Sequence, residues 1–268
     1  MESSYFFKVE GLTVRDILAN TVNLYRERFL FYSVVLGTPI LLLGSAEYLA
    51  VKFGGWWPRG WQAWGLAGLN LFVGSFSASI LIYAAIRQLR GTPLSASDAV
   101  RAGLSCAIWV FMAGAFAFIG IAIGFLLLVV PGLIALCSWF LALPVAAMER
   151  IGPLAATEAS FQMTRGYRLH ILAVLVLLQF ATFLIEVVVQ YTYWLVVSLV
   201  SGQSLTGLSL SFSRLYLVSR NIPDVEFISG LVTLPVTCLS LLASAYIYAV
   251  LTSVRGPYAN RDYVADLK

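Results

Sequence analysis

Six long apolar runs dominate this sequence, and they lie at 29–53, 63–86, 104–130, 132–148, 170–199 and 227–252. A helix that crosses the hydrocarbon core of a bilayer needs about 20 mainly apolar residues, and every run but the fourth has that length. The chain is 60% hydrophobic and 11% charged, whereas soluble domains are about half apolar and a quarter charged. The pattern therefore predicts an all-α integral membrane protein with six transmembrane helices.

The third and fourth runs form one apolar stretch that is interrupted only at Pro131-Gly132. An unbroken helix over both runs would be about 65 Å long, more than twice the thickness of the hydrocarbon core. The stretch must therefore fold back, and Pro-Gly is a typical turn sequence. Pro144 lies inside the fourth run and predicts a kink there, because proline removes a helical hydrogen bond.

The basic residues predict the orientation of the chain in the membrane. Of its 17 Lys and Arg residues, only Lys52, Arg59, Arg214 and Arg220 fall on one side of the six-helix arrangement, and the other thirteen fall on the opposite side. Positively charged loops stay in the cytoplasm, so both termini are predicted to be cytoplasmic. The net charge of +4 then predicts contact with anionic lipid headgroups and requires no nucleic acid.

Three predicted cytoplasmic segments have similar sequences and divide the chain into three units, at about 10–86, 93–148 and 153–252. Thr13 with Asp16 and Ser95 with Asp98 have the spacing of a helix N-terminus, and Pro153 begins the third segment instead. Each unit is predicted to be a cytoplasmic interfacial helix followed by a helical hairpin. The first interfacial helix is amphipathic. Its apolar residues are Val14, Ile17, Leu18, Val22, Tyr25 and Phe29. The second and third interfacial helices are predicted at about 95–103 and 154–166.

A longer pattern covers residues 130–170. It consists of Val130-Pro131-Gly132, Leu143-Pro144-Val145, Glu149 to Leu154, Ala159-Ser160-Phe161 and Thr164-Arg165-Gly166. This pattern resembles a group of bacterial integral membrane proteins that includes the membrane domain of some glycerophosphodiester phosphodiesterases and YciC-like inner-membrane proteins. The resemblance implies a multi-pass protein of the bacterial inner membrane in which Pro131, Gly132, Pro144, Glu149, Ser160 and Gly166 have structural roles.

That resemblance does not imply phosphodiesterase activity. In the family the activity belongs to a separate soluble barrel domain, and its chemistry requires more than one histidine. His170 is the only histidine here, and its position predicts a helix-end residue at headgroup level.

Glu47 and Glu186 are acidic residues inside predicted transmembrane helices, where a charge is costly and often functional. Both lie about 24–27 Å along helices that run in the same direction, so they share a depth near the outer boundary. One interpretation is a polar cavity that binds a proton, a cation or a headgroup. The other is that each carboxylate reaches the outer interface or pairs with a neighbour such as Lys52. Glu149 is predicted to be a junction residue that bonds to the next helix.

Ala113, Ala117, Gly120 and Gly124 recur on one face of the third run. Small residues at this spacing allow close helix packing, either inside the chain or in a dimer.

The three cysteines lie in predicted transmembrane helices and form no disulfide pattern. Segment 200–226 has too few apolar residues to cross the membrane, and it is predicted to form a surface helix or a short hairpin.

No metal, cofactor or nucleophile motif occurs in the sequence, so we predict a non-enzymatic protein without a cofactor. The first hypothesis is a protein that accommodates or organises lipid or a membrane protein partner. The second is a small proton- or ion-coupled transporter that uses Glu47 and Glu186. An intramembrane enzyme is the third.

Overall fold

The computed structural model describes residues 13–54, 61–92, 94–201 and 223–255, and the side chains of most of them. Within these ranges the chain forms nine α-helices and no strand. They are α1 (Val14–Glu27), α2 (Phe29–Gly54), α3 (Trp61–Leu89), α4 (Ala96–Leu127), α5 (Val129–Trp139), α6 (Ala142–Glu149), α7 (Pro153–Thr164), α8 (Arg168–Ser201) and α9 (Pro223–Arg255).

Five helical stretches are long and apolar enough to cross a membrane in the described part of the chain. They are Gly68–Leu89, Ala96–Leu127, Val129–Glu149, Arg168–Tyr193 and Ile228–Ser253. A sixth results if α1 and the first part of α2, Phe29–Ser45, are taken together as one span, although the two helices meet at 87°. This confirms the predicted all-α class, with five helical stretches, or six if the bent pair is one of them, that could span a membrane.

The three predicted helix starts are confirmed. The Thr13 hydroxyl accepts the Asp16 N–H at 3.2 Å and begins α1, and the Ser95 hydroxyl accepts the Asp98 N–H at 3.2 Å and begins α4. Gly152 precedes α7, and Pro153 occupies its first turn. A proline fits there because the first N–H groups of a helix have no partner within the helix.

The prediction of a separate interfacial helix at about 95–103 was wrong, because α4 runs without a break from Ala96 to Leu127. Nothing in this stretch stops a helix, since its glycines keep helical geometry and it contains no proline. The first and third units do have a break. Arg28 leaves helical geometry with φ −132°, and Gly166 takes a left-handed φ of +94° between α7 and α8. The three-unit repeat remains a prediction.

The fold-back between the third and fourth runs is real, but the predicted position of its turn was wrong. The chain reverses at Leu128, whose φ of −167° and ψ of 156° end α4, and Pro131 and Gly132 lie in the first turn of α5. Proline is tolerated in a first turn because its missing N–H costs no hydrogen bond there. Gly132 lies against Gly124, where an added Gly124 Cβ would be 3.0 Å from the Gly132 Cα, so it serves close packing rather than the turn.

The predicted transmembrane helix at 132–148 is two helices, since α5 ends at Trp139 and α6 begins at Ala142. The break precedes Pro144. In an unbroken helix the residue at position 144 would donate its N–H to the Phe140 carbonyl, four residues earlier. Proline has no N–H for that bond, and its ring collides with that carbonyl. The predicted kink therefore appears about one turn before the proline that causes it.

Helix α9 lies at the centre of the bundle and packs against α1, α2, α3, α6 and α8. We call the end of the bundle with Arg26, Arg28, Arg87, Arg90 and Arg150 the basic end, and the opposite end the distal end. Burial is concentrated at the basic end. In α9 every residue from 242 to 252 is buried, whereas 228–232 are half-buried or exposed. Helix α3 shows the same gradient, with 77–82 buried and 68–72 exposed.

Candidate functional site

The small-residue face of α4 packs inside the chain. Ala113 and Ala117 are buried, and Gly124 adjoins Gly132 of α5. Gly120 lies directly under the Trp139 ring, and the ring occupies the space that a Cβ at position 120 would need. The face therefore allows α4 and α5 to approach closely after the reversal at Leu128, which is the internal alternative of the two that the sequence left open.

Ser160 closes the break that Pro144 creates between α5 and α6. Its hydroxyl accepts the Leu141 N–H at 3.1 Å and donates to the Ser138 carbonyl oxygen at 2.6 Å. The Thr164 hydroxyl donates to the same carbonyl at 3.4 Å. Ser160 and Thr164 have no exposed surface, so these bonds satisfy backbone groups that water cannot reach. Sequence reasoning gave Ser160 a structural role but missed its partners, since Pro144 and Ser160 lie on different helices.

Glu149 joins α6 to α9, a helix far from it along the chain. The Tyr248 hydroxyl, on a side chain 1% exposed, donates to Glu149 Oε1 at 3.1 Å. The sequence-based bond from Glu149 to the N-terminus of the next helix stays a prediction. Arg150 takes a left-handed φ of 52° that ends α6, and its guanidinium donates to the Ser105 hydroxyl at 2.8 Å.

A second polar network joins α1, α2 and α3 at the basic end. The hydroxyl of fully buried Tyr32 donates to Gln88 Oε1 at 2.7 Å, and the Gln88 amide donates to the Glu27 carboxylate. Asn20 of α1 donates to the Tyr246 hydroxyl of α9 at 3.0 Å. These bonds tie the amphipathic helix to the bundle, and no sequence signal indicated them because their members are up to 226 positions apart.

The two acidic residues proposed for a cavity lie in the distal halves of α2 and α8. The Glu47 side chain is outside the described residues, so the predicted pair and its shared depth remain a prediction. Glu186 is half-buried, and its carboxylate forms no hydrogen bond with the residues that the structure describes. Segment 200–226 also lies largely outside the described residues.

The remaining predicted residues have local roles. Gly166 provides the left-handed turn between α7 and α8, where the Tyr167 N–H donates to the Thr164 carbonyl at 3.0 Å. His170 is exposed in the first turn of α8. No group of three His, Cys, Asp or Glu side chains that could hold a metal ion occurs within the described ranges.

Helix α1 presents two apolar surfaces. Ile17, Leu24 and Tyr25 are buried against the bundle, whereas the neighbouring stripe of Leu18 and Val22 is more exposed, since Leu18 packs only partly against the core and Val22 is 37% exposed. Arg15 and Arg26 lie on the polar side of the helix next to this stripe. Exposed apolar residues beside basic residues, on a helix that meets the next helix at 87°, are typical of a helix that lies in a membrane interface.

No protein-family model, no curated protein and no solved structure matches this chain. The resemblance to the bacterial membrane family accordingly remains a prediction from the motifs at 130–170.

Proposed function

We propose that this protein is a non-enzymatic protein of the bacterial inner membrane that accommodates or organises lipid through its basic end. The observation that carries the proposal is helix α1. Ile17, Leu24 and Tyr25 are buried in the bundle, where α1 packs against α8 and α9, while Leu18 is half-buried and Val22 is exposed, on a helix that meets α2 at 87°. Exposure of this apolar stripe to water would be unfavourable. Anionic lipid would cover the stripe and neutralise the adjacent arginines.

The polar residues of the basic end support the same function. Tyr32, Gln88, Tyr248 and Ser160 all hydrogen-bond to other helices, so their chemistry is used to hold the bundle together. The large exposed apolar surfaces of α4 and α8 require lipid or a membrane protein partner along the sides of the bundle.

Spin labels on α1 test this proposal. Single labels are placed at Val22, on the exposed stripe, and at Asn23, on the polar side, after the three native cysteines are replaced by alanine. In vesicles that contain phosphatidylglycerol, the Val22 label is expected to collide with lipid-soluble oxygen and the Asn23 label with a water-soluble nickel complex. Equal access of the nickel complex to both labels would place α1 in water and contradict the proposal.

The proposed orientation, with both termini in the cytoplasm, has an independent test. Reporter tags at the two ends of the full chain should both report the cytoplasmic compartment. Tags in opposite compartments would remove the basis for placing α1 at the cytoplasmic surface.

A specific observation favours a second function, a small proton- or ion-coupled transporter. The half-buried Glu186 carboxylate has no hydrogen-bond partner among the described residues, and an intramembrane carboxylate of this kind is a candidate ion-coupling group. Glu47→Gln and Glu186→Gln together should then abolish proton-coupled uptake in proteoliposomes while leaving folded yield unchanged. Absence of uptake in the unmodified protein argues against transport.

A further inference from the structure

The corner between α1 and α2 forms an open groove of about 560 Å³. One wall is residues 26–31, where the chain turns by 87°, and the other is residues 94–96 at the start of α4. The Arg28 guanidinium donates to the Leu94 carbonyl oxygen at 2.8 Å and so joins the two walls. The volume is within the range of about 300–1,000 Å³ that is usual for small-ligand sites.

The groove carries an excess of positive charge. Arg26 and Arg28 line it, together with one acidic residue, Glu27. The Glu27 carboxylate accepts a hydrogen bond from Gln88, so its charge is directed toward α3. A guanidinium has five N–H donors and suits phosphate groups, and Arg28 uses only one of them on Leu94.

An exposed apolar track leaves the groove along α2. Phe29 is 49% exposed and Leu30 is 75% exposed at the groove itself, and Val34 continues the face of Leu30 one turn further along α2. Thr38 lies next on this face, and its hydroxyl donates to the Val34 carbonyl at 2.6 Å, so it presents no unsatisfied polar atom. Leu41 and Leu42 extend the track further toward the distal end.

We propose that this corner binds the phosphate of an anionic phospholipid, with Arg26 and Arg28 holding the headgroup and an acyl chain lying along α2. The proposal deepens the lipid-organising function and rests on it. A free phosphate would use only the arginines, whereas a phospholipid uses both the cationic groove and the apolar track that begins there. The N-terminus of α4 adds little positive charge to the groove, because Asp98 in its first turn already neutralises its partial charge.

The test compares binding of spin-labelled phosphatidylglycerol and phosphatidylcholine to the full chain in vesicles. Arg26→Gln with Arg28→Gln should lower the preference for phosphatidylglycerol by about fivefold for each arginine removed. The matched control is Arg101→Gln with Arg165→Gln, which removes two exposed cations outside both the groove and the α1 stripe and should leave the preference largely unchanged. An equal loss in both double variants would show general surface charge and overturn the site.

Two further measurements do not depend on how the double variant folds. A phosphatidylglycerol with a photoreactive acyl chain should label residues 30–42 of the unmodified protein. Labels only on α4 and α8 would overturn the proposal. Inorganic phosphate in excess should fail to displace the spin-labelled lipid, and full displacement would assign the groove to free phosphate. If the Val22 label lies in lipid but the groove variants change nothing, the lipid-organising function stands and this site alone fails.

Discussion

The two ends of this helical bundle are built differently although the same helices form both. At the basic end, α3, α6 and α9 bury nearly every side chain, and hydrogen bonds such as Tyr248 to Glu149 join neighbouring helices. Toward the distal end α3 and α9 expose apolar residues, and α4 and α8 expose them along most of their length. Since apolar side chains gain little from leaving lipid, packing and hydrogen bonds rather than the hydrophobic effect hold the basic end together.

The difference indicates that the basic end holds the fold while the distal half tolerates change. If so, substitutions at the basic end should cost more free energy of unfolding than the same substitutions nearer the distal end. The free energy of unfolding is measured by SDS titration of the full chain in mixed micelles, followed by tryptophan fluorescence.

The largest effect is expected from Gly103→Val in α4. A side chain at this position would collide with the backbone of Ile80 in α3, so the two helices must separate. The free energy of unfolding should fall by about 3 kcal/mol, at the upper end of the usual cost of overpacking. The control is Gly114→Val on the same helix, where nothing lies near an added Cβ. Equal losses at both positions would remove the difference between the two ends.

The next effect is expected from Ser160→Ala, which removes the partner of the Leu141 N–H and leaves the Ser138 carbonyl with only the longer bond from Thr164, at 3.4 Å. Two buried backbone groups that lose a hydrogen bond should cost about 2 kcal/mol. Pro144→Ala provides the control, because it restores the missing N–H and lets α5 and α6 join. Ser160→Ala should then cost less in the Pro144→Ala background than alone. An unchanged cost would mean that Ser160 does not compensate for the proline.

Two valines of α8 compare the ends of the bundle directly. Val174 is fully buried, and Val188 is 63% exposed. Val174→Ala should lower the free energy of unfolding by about 1.5 kcal/mol, because removing its two methyl groups leaves a cavity and weakens the dispersion attraction around it. Val188→Ala, in contact with lipid, should change it by less than about 0.5 kcal/mol. A larger cost at Val188 would indicate a protein partner on that face.

The smallest effect is expected from Tyr248→Phe, which removes the hydroxyl bonded to Glu149 and keeps the ring. The bond joins a buried tyrosine to a half-buried carboxylate and should contribute about 1 kcal/mol, as a typical hydrogen bond does. Tyr83→Phe in α3 is the control, since the Tyr83 hydroxyl has no hydrogen bond among the described residues. A loss at Tyr83 equal to that at Tyr248 would assign no value to the contact with Glu149.

Local sequence signals succeeded where a few neighbouring residues decide the structure. The capping pairs at Thr13 and Ser95 began helices as predicted, because an N-cap bond spans only three positions. The errors fell where packing chose between local options. Pro131-Gly132 suits a turn, but it also suits a first helical turn, and the contact of Gly132 with Gly124 selected the second.

The sequence by itself determined that this chain is an all-α protein with apolar helices able to span a membrane, because apolar length and the need to satisfy every backbone hydrogen bond leave no other structure in lipid. Only the tertiary structure decided which polar side chains meet. Ser160 reaches a break 19 positions away, and Tyr248 reaches Glu149 across 99 positions. The corner between α1 and α2 likewise exists only in the folded chain, since its two walls join through Arg28 and Leu94, 66 positions apart. Such contacts depend on how helices pack in space, and the spacing of residues along the chain does not record it.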